Sequence, residues 1–192
     1  MFYTGPENSR LVYVNRDNYG RADYCDATAQ YQSGVWHHCC GITADEDDHL
    51  VYFDGVAGEH LYSTVAYKGY DRISIAAFRD SSPSGYTTGK IAEAAVWNVA
   101  LTADEVKALA KGFSPLFVRP ANLKAYWPLI RLGSTIDAPD LVGGYHLTAY
   151  NGPITAPHCR IFRPAPPLVA PVEGLVTPIP VIMNHYRKLR TA

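Results

Sequence analysis

His49–Tyr67 reads HLVYFDGVAGEHLYSTVAY, and its first half settles the class of fold. HLVYFDG is a strand that ends in Asp54-Gly55. That dipeptide marks a two-residue hairpin, because both central positions of the tight turn need positive φ. EHLYSTVAY returns from the turn as the partner strand. Asp54 is therefore assigned to turn chemistry.

Working outward, the same period-two pattern recurs. SRLVYVNRD (Ser9–Asp17) alternates Leu11 and Tyr13 against Val12 and Val14 before a polar turn. ADYCDATAQY reads as a second, weaker strand. A strand is expected from Val35 to about Ile42, another in RISIAAFRD with Ile73, Ile75 and Ala77 on one face, and another over GKIAEAAVWNV (Gly89–Val99). NLKAYWPLI and YHLTAY supply two late strands.

Only once does the period change. LTADEVKALAKG (Leu101–Gly112) reads as one short helix. Thr102 and Glu105 have capping-box spacing, and Leu101 with Val106 can staple the first turn. Val106, Leu109 and Ala110 form the apolar stripe, and Gly112 supplies the left-handed stop. Regularly spaced strands with a single helix predict an all-β, antiparallel jelly-roll sandwich.

Composition bounds the function. The chain has 192 residues, 47% of them hydrophobic, and a net charge of −1. That is enough chain for one packed domain, and the balanced charge argues against nucleic acid or an anionic membrane as partner. The basic stretch HYRKLR (His185–Arg190) reads as a solvated terminus. MFYTGPENSR carries no secretion-signal pattern. Cys25, Cys39, Cys40 and Cys159 are too few and too irregular for a disulfide framework. They are read as reduced thiols of a protein made in a cytoplasm.

The end of the chain differs in kind. Arg163–Met183 reads RPAPPLVAPVEGLVTPIPVIM. Its prolines at 164, 166, 167, 171, 178 and 180 exclude helix interiors and central strands. A solvated linker would be polar, whereas this stretch carries Leu168, Val169, Val172, Leu175, Val176, Ile179, Val181, Ile182 and Met183. These nine side chains are the expected partner-binding residues. The division is a sandwich over 1–162 and an extended proline-rich C-terminal arm over 163–192.

Chemistry-bearing residues were weighed in turn. HHCC suggests zinc, but on a strand His38 and Cys40 share one face and His37 and Cys39 the other, short of four convergent ligands. His158 and Cys159 lie far away in sequence, so buried thiols are expected instead. Trp36, Trp97 and Trp127 sit among apolar neighbours and are assigned to the core rather than to sugar stacking. No phosphate-cradling glycine loop, nucleophile elbow or Cys/His nucleophile pair is present.

At GVWHHCCGI, HLVYFDGV and GKIAEAAVWNVALTADEVKAL the sequence resembles the laminin-G-like, concanavalin A-like jelly rolls. The matching residues are Trp36, His38, Tyr52, Asp54, Gly55, Gly89, Ile91, Glu93, Trp97, Leu101, Thr102 and Glu105. The resemblance implies calcium at a loop edge as the candidate metal; the acidic cluster Asp45, Glu46, Asp47 and Asp48, and the pair Asp137 and Asp140, supply candidate oxygen ligands, although neither follows the family's site pattern. Catalytic members carry Glu-x-Asp-x-x-Glu, which sets two carboxylates about 5 Å apart. Here Val51 stands where the third acid is needed, so no cofactor and no enzymatic activity are expected.

Family members carry further strands before the region matched by Leu11–Val14. The expectation is that part of the sandwich is missing, is rebuilt from the segment after the helix, or is completed by a neighbouring chain. Jelly rolls of this kind without a signal peptide resemble structural proteins of tailed phages. The resemblance implies a virion subunit, a capsid decoration or appendage protein made in the host cytoplasm. It would dock through its arm and sheet edges onto other virion proteins such as the major capsid protein, as a homo-oligomer. A glycan-binding lectin module is the alternative.

Overall fold

The computed structural model describes residues 2–4, 10–16, 22–45, 47–62, 73–79, 83–84, 86–130 and 137–164. β1 (Phe2–Thr4), β2 (Arg10–Arg16) and β3 (Ala22–Gln30) form one antiparallel sheet in sequence order. β4 (Cys39–Asp45), β5 (Asp48–Phe53) and β6 (Val56–Tyr62) form a second. Two short strands, β7 (Phe78–Arg79) and β8 (Pro83–Ser84), pair with each other. After them come β9 (Ala94–Trp97), helix α1 (Ala103–Ala110), a 3-10 turn (Pro115–Phe117) and β10 (Leu123–Trp127). β11 (Asp137–Ala138) pairs with β12 (Leu147–Thr148). The chain is an all-β sandwich with one α-helix among its described residues.

β5 is the middle of the structure, which explains its nearly unbroken apolar run. A strand sends alternate side chains to opposite faces. Val51 and Phe53 face the first sheet and pack with Leu11, Cys25 and Ala27. Tyr52 faces the other way, onto Ile42, Leu101, Val106, Leu109 and Val118, with Leu50 and Trp97 packed alongside. The strand is therefore covered on both sides, by β2–β3 and by α1. Even polar His49 is fully buried, with Nδ1 3.3 Å from Thr43 Oγ1.

The Asp54-Gly55 turn forms as expected, with φ of 50° and 79°. Its glycine is needed twice, because a Cβ there would also stand 3.1 Å from Ala110 Cβ on α1. Gly58 is needed for a different reason. β6 bulges opposite Val51, and β3 passes so close that a Cβ on Gly58 would lie 2.6 Å from Asp26 O and 2.7 Å from Val51 Cγ1. Gly58→Ala is expected to destabilise the fold by about 1–3 kcal/mol, because backbone cannot yield as a side chain can. A chemical-denaturation midpoint equal to wild type would show that the sheets separate at no cost.

Helix α1 keeps the predicted capping box: Glu105 N donates to Thr102 Oγ1 at 3.4 Å and Thr102 N to Glu105 Oε2 at 2.7 Å. Val106 and Leu109 are buried, and Gly112 has φ of 87°. Arg119 Nε donates to Glu105 Oε1 at 2.6 Å, tying the helix start to the chain after the 3-10 turn. The segment following the helix then supplies β10 as partner to β9.

Three strand expectations are corrected. The strand expected from Val35 begins only at Cys39, because Trp36–His38 turn toward the β5–β6 hairpin. GKIAEAAVWNV is strand only at Ala94–Trp97: Glu93 has φ of 57°, a left-handed conformation that interrupts an extended chain. Among the described residues of RISIAAFRD only Phe78–Arg79 is strand. Ser74 Oγ donates to Ala77 O at 2.8 Å and Ala76 has φ of 63°, which makes a turn of Ile73–Ala77 and leaves Ile73 exposed.

Candidate functional site

Glu93 is the centre of a densely bonded group that joins distant parts of the chain. Its backbone turn lifts the side chain out of the strand line and onto β10. The carboxylate side chain is 10% exposed and meets three partners. Tyr126 Oη donates to Oε2 at 2.5 Å, and Arg163 Nη2 donates to Oε1 at 2.7 Å. His158 Nε2 stands 3.1 Å from the same Oε1 and 3.0 Å from Pro128 O, while its Nδ1 is 2.7 Å from Cys159 O. Both ring nitrogens of His158 face oxygen acceptors. Burial and the Glu93 bond push Tyr126 up to about 12, so its hydroxyl stays a donor.

This arrangement clasps chain to chain. One carboxylate with its lone pairs engaged by a phenol, a guanidinium and an imidazole is a poor general base; its role is to hold Arg163. Next to it, Phe162 N donates to Gly112 O at 2.7 Å and Ser114 N to Phe162 O at 2.9 Å, a parallel bridge between Phe162 and Phe113. The backbone entering the C-terminal segment is thereby fixed to the domain at Phe162 and Arg163. The boundary expected between 162 and 163 falls inside this clasp.

Around the clasp lies an aromatic ledge. Phe113 and Phe162 have ring centroids 5.4 Å apart, and Phe113 and Phe117 are 6.1 Å apart edge to face. The three side chains are 41%, 49% and 63% exposed for Phe113, Phe117 and Phe162.

A second group sits at the β5–β6 hairpin. Asp54 Oδ1 accepts from His38 N at 2.8 Å, and Oδ2 is 2.7 Å from His37 Nδ1. With Nδ1 donating to the carboxylate, His37 Nε2 accepts from Gln32 N at 3.1 Å. His37 also stacks on Phe53 at 4.8 Å. The β3–β4 loop is thus stapled to the hairpin by His37 and Asp54. Asp54 both makes the turn and fastens the loop. Burial holds His38 below the usual imidazole value, against the pull of Asp54.

Trp36 is corrected. It was assigned to the core, but it is 40% exposed on this loop, with Tyr31 and Val35 also exposed. The residue lies outside β4, so no sheet covers it. Trp97 is half-buried and donates from Nε1 to Val118 O at 2.8 Å. Trp127 is buried and donates from Nε1 to Tyr145 O at 2.7 Å.

Of the metal candidates, Asp48 Oδ1 is 2.5 Å from His60 Nε2, Asp45 and Asp47 are exposed, and Glu46 lies outside the described residues. Among the described residues no three His, Cys, Asp or Glu side chains gather in a metal-binding group. Cys40 keeps its proton, since burial and the neighbouring Cys39 push it up to about 12. Asp140 is engaged differently from a calcium ligand. Its Oδ1 accepts from Tyr126 N at 2.8 Å and Val142 N at 2.9 Å, and its Oδ2 from Gly143 N and Tyr145 N, both at 3.0 Å. It organises the turn between β11 and β12. The nine apolar residues from Leu168 to Met183 lie outside the described residues.

The clasp was not legible beforehand. Glu93 figured only as a position of the family pattern, and Tyr126, His158 and Arg163 carried no local signal, since 70 residues separate Glu93 from Arg163. Asp140 does carry a local signal: an aspartate followed by Gly143-Gly144 is a side-chain-to-backbone turn in prospect.

No curated protein matches the chain. One solved structure, an S-layer domain-containing protein (residues 221–444) from Clostridium thermocellum, is 20% identical, with a TM-score of 0.36 over 53% of this chain and 50% of that one. The match spans half the length of that neighbour. Residues 1–107 match the laminin G family described as the concanavalin A-like lectin/glucanases superfamily. With more than half its length matched, and with the hairpin, capped helix and buried β5 of such a sandwich, the chain belongs to this laminin G family of concanavalin A-like domains.

Proposed function

We propose that the chain is a non-enzymatic structural subunit of a virion, a capsid decoration or appendage protein that attaches to other virion proteins through residues 164–192. The observation that carries this reading is the clasp. Glu93, Gly112 and Ser114 hold Phe162 and Arg163 in place, so the apolar, proline-spaced segment departs from a fixed root on a laminin G domain. Nine apolar side chains in water are unfavourable by roughly 25 cal/mol per Å², so such a segment gains from a partner. Proteins of this superfamily are generally non-catalytic, which agrees with a platform role. Truncation after Arg163 is expected to leave the thermal midpoint nearly unchanged and to abolish incorporation into particles. Incorporation at the wild-type level would remove the arm as anchor.

A second reading is glycan binding, an activity open to this superfamily. Exposed Trp36 favours it, on a loop held rigid by His37 and Asp54, since a fixed aromatic face can stack on a sugar ring. Loss of glycan retention in Trp36→Ala with the fold intact would bring this reading forward.

A further inference from the structure

The ledge of Phe113, Phe117 and Phe162 is an exposed aromatic surface placed where the proline-rich segment begins. Pro164 is the last described residue, two positions after Phe162, and 28 residues follow it. Extended proline-rich chain is recognised by adjacent aromatic rings, because its conformation is set before binding and little entropy is lost. The ledge offers three rings with centroid separations of 5.4 and 6.1 Å between neighbours, one of them edge-on.

The chain's own proline run cannot easily occupy its own ledge. Prolines at 164, 166 and 167 fix φ and bias each preceding residue away from the helical region. By its sequence, extended proline-rich chain advances about 3.1 Å per residue from its root, and the first glycine that could reverse it is Gly174. A second copy meets no such obstacle. A receptor located at the root of the segment it receives is self-complementary under a two-fold axis: each copy lays its run across the other's ledge, and both contacts form together.

We infer that the Phe113–Phe117–Phe162 ledge receives the Pro164–Pro171 run of a second copy of this chain, so that two copies exchange segments about a two-fold axis. The inference rests on the reading that the C-terminal segment is the docking element. Fixing the root at Arg163–Glu93 then has a purpose beyond anchorage, because it sets the direction in which the run crosses to its partner.

Sedimentation equilibrium of the full-length chain at micromolar concentrations tests this. The wild type is expected to be a dimer. Phe117→Ser, at a half-exposed position, and Pro166→Ser combined with Pro167→Ser, beyond the clasp, are each expected to weaken it at least about tenfold. An excess of synthetic peptide spanning residues 164–171 should dissociate the wild-type dimer. The arm variant keeps the test valid if Phe117→Ser lowers stability. A monomeric wild type, or a dimer indifferent to both variants and to the peptide, overturns the exchange. If truncation still abolishes particle incorporation in that case, the assembly reading stands and only this inference falls.

Discussion

Asp140→Ala is expected to lower stability by at least about 3 kcal/mol and to release the turn between β11 and β12. Four backbone N–H groups lose their acceptor at once, and an orphaned buried donor costs roughly 1–3 kcal/mol. Water admitted by the missing carboxylate recovers part of that sum. Two of the four donors, Val142 and Gly143, bond an aspartate only two or three residues back, while Tyr126 N belongs to β10. The carboxylate thus joins a local turn to the sheet. The same bonds make a pH prediction. Burial alone would raise the Asp140 pKa, but the four N–H bonds outweigh it and hold the carboxyl below the ordinary aspartate range. A depressed folded pKa means stability that is present in full above the unfolded value, about 3.9, and is lost as pH falls through the folded one. Wild-type thermal midpoints should therefore fall more steeply below about pH 4 than those of Asp140→Ala. Parallel acid limbs for the two proteins would show that the carboxylate is not held as described.

Trp127→Ala is expected to cost about 3–5 kcal/mol, the sum of lost transfer energy and the cavity left behind. The side chain is 1% exposed, so no water replaces it without entering the core. Its Nε1 bond to Tyr145 O reaches the same turn that Asp140 holds. Trp127→Phe keeps most of the ring but abandons that carbonyl, for about 1–2 kcal/mol. Since both residues tether the 140–146 turn to β10, their effects should not add. In a double-mutant cycle the pair is expected to cost less than the sum of its singles by about 1 kcal/mol. Additive losses in urea denaturation would separate the two tethers.

The position of these residues bears on function. β10 carries Tyr126 and Trp127 side by side, and they serve opposite faces. Trp127 fastens the 140–146 turn, while Tyr126 donates to Glu93 at the clasp. A loosened β10 would free the root of the C-terminal segment as well as the turn. Stability at this strand and presentation of the segment are therefore coupled in the same five residues, Leu123–Trp127.

What the sequence determined by itself was local or periodic. Asp54-Gly55 dictated its turn, because few dipeptides accept two successive positive φ values. Thr102 and Glu105 dictated the start of α1, and Gly112 its end, because capping is satisfied within one helical turn. The alternation in Ser9–Asp17 and the short apolar run of His49–Phe53, ended by Asp54-Gly55, dictated strands. What only the tertiary structure decided was which polar atoms meet across long stretches of chain. Trp36 looked like core because its neighbours are apolar, yet His37 and Asp54 hold its loop outside the sheet. Glu93 looked like one more strand residue, yet its left-handed backbone delivers the carboxylate to Tyr126, His158 and Arg163. Asp140 looked like a metal ligand, yet backbone donors claim both of its oxygens. A periodic pattern records which face of an element is apolar, and it holds no record of the distant partner that a buried polar atom must find.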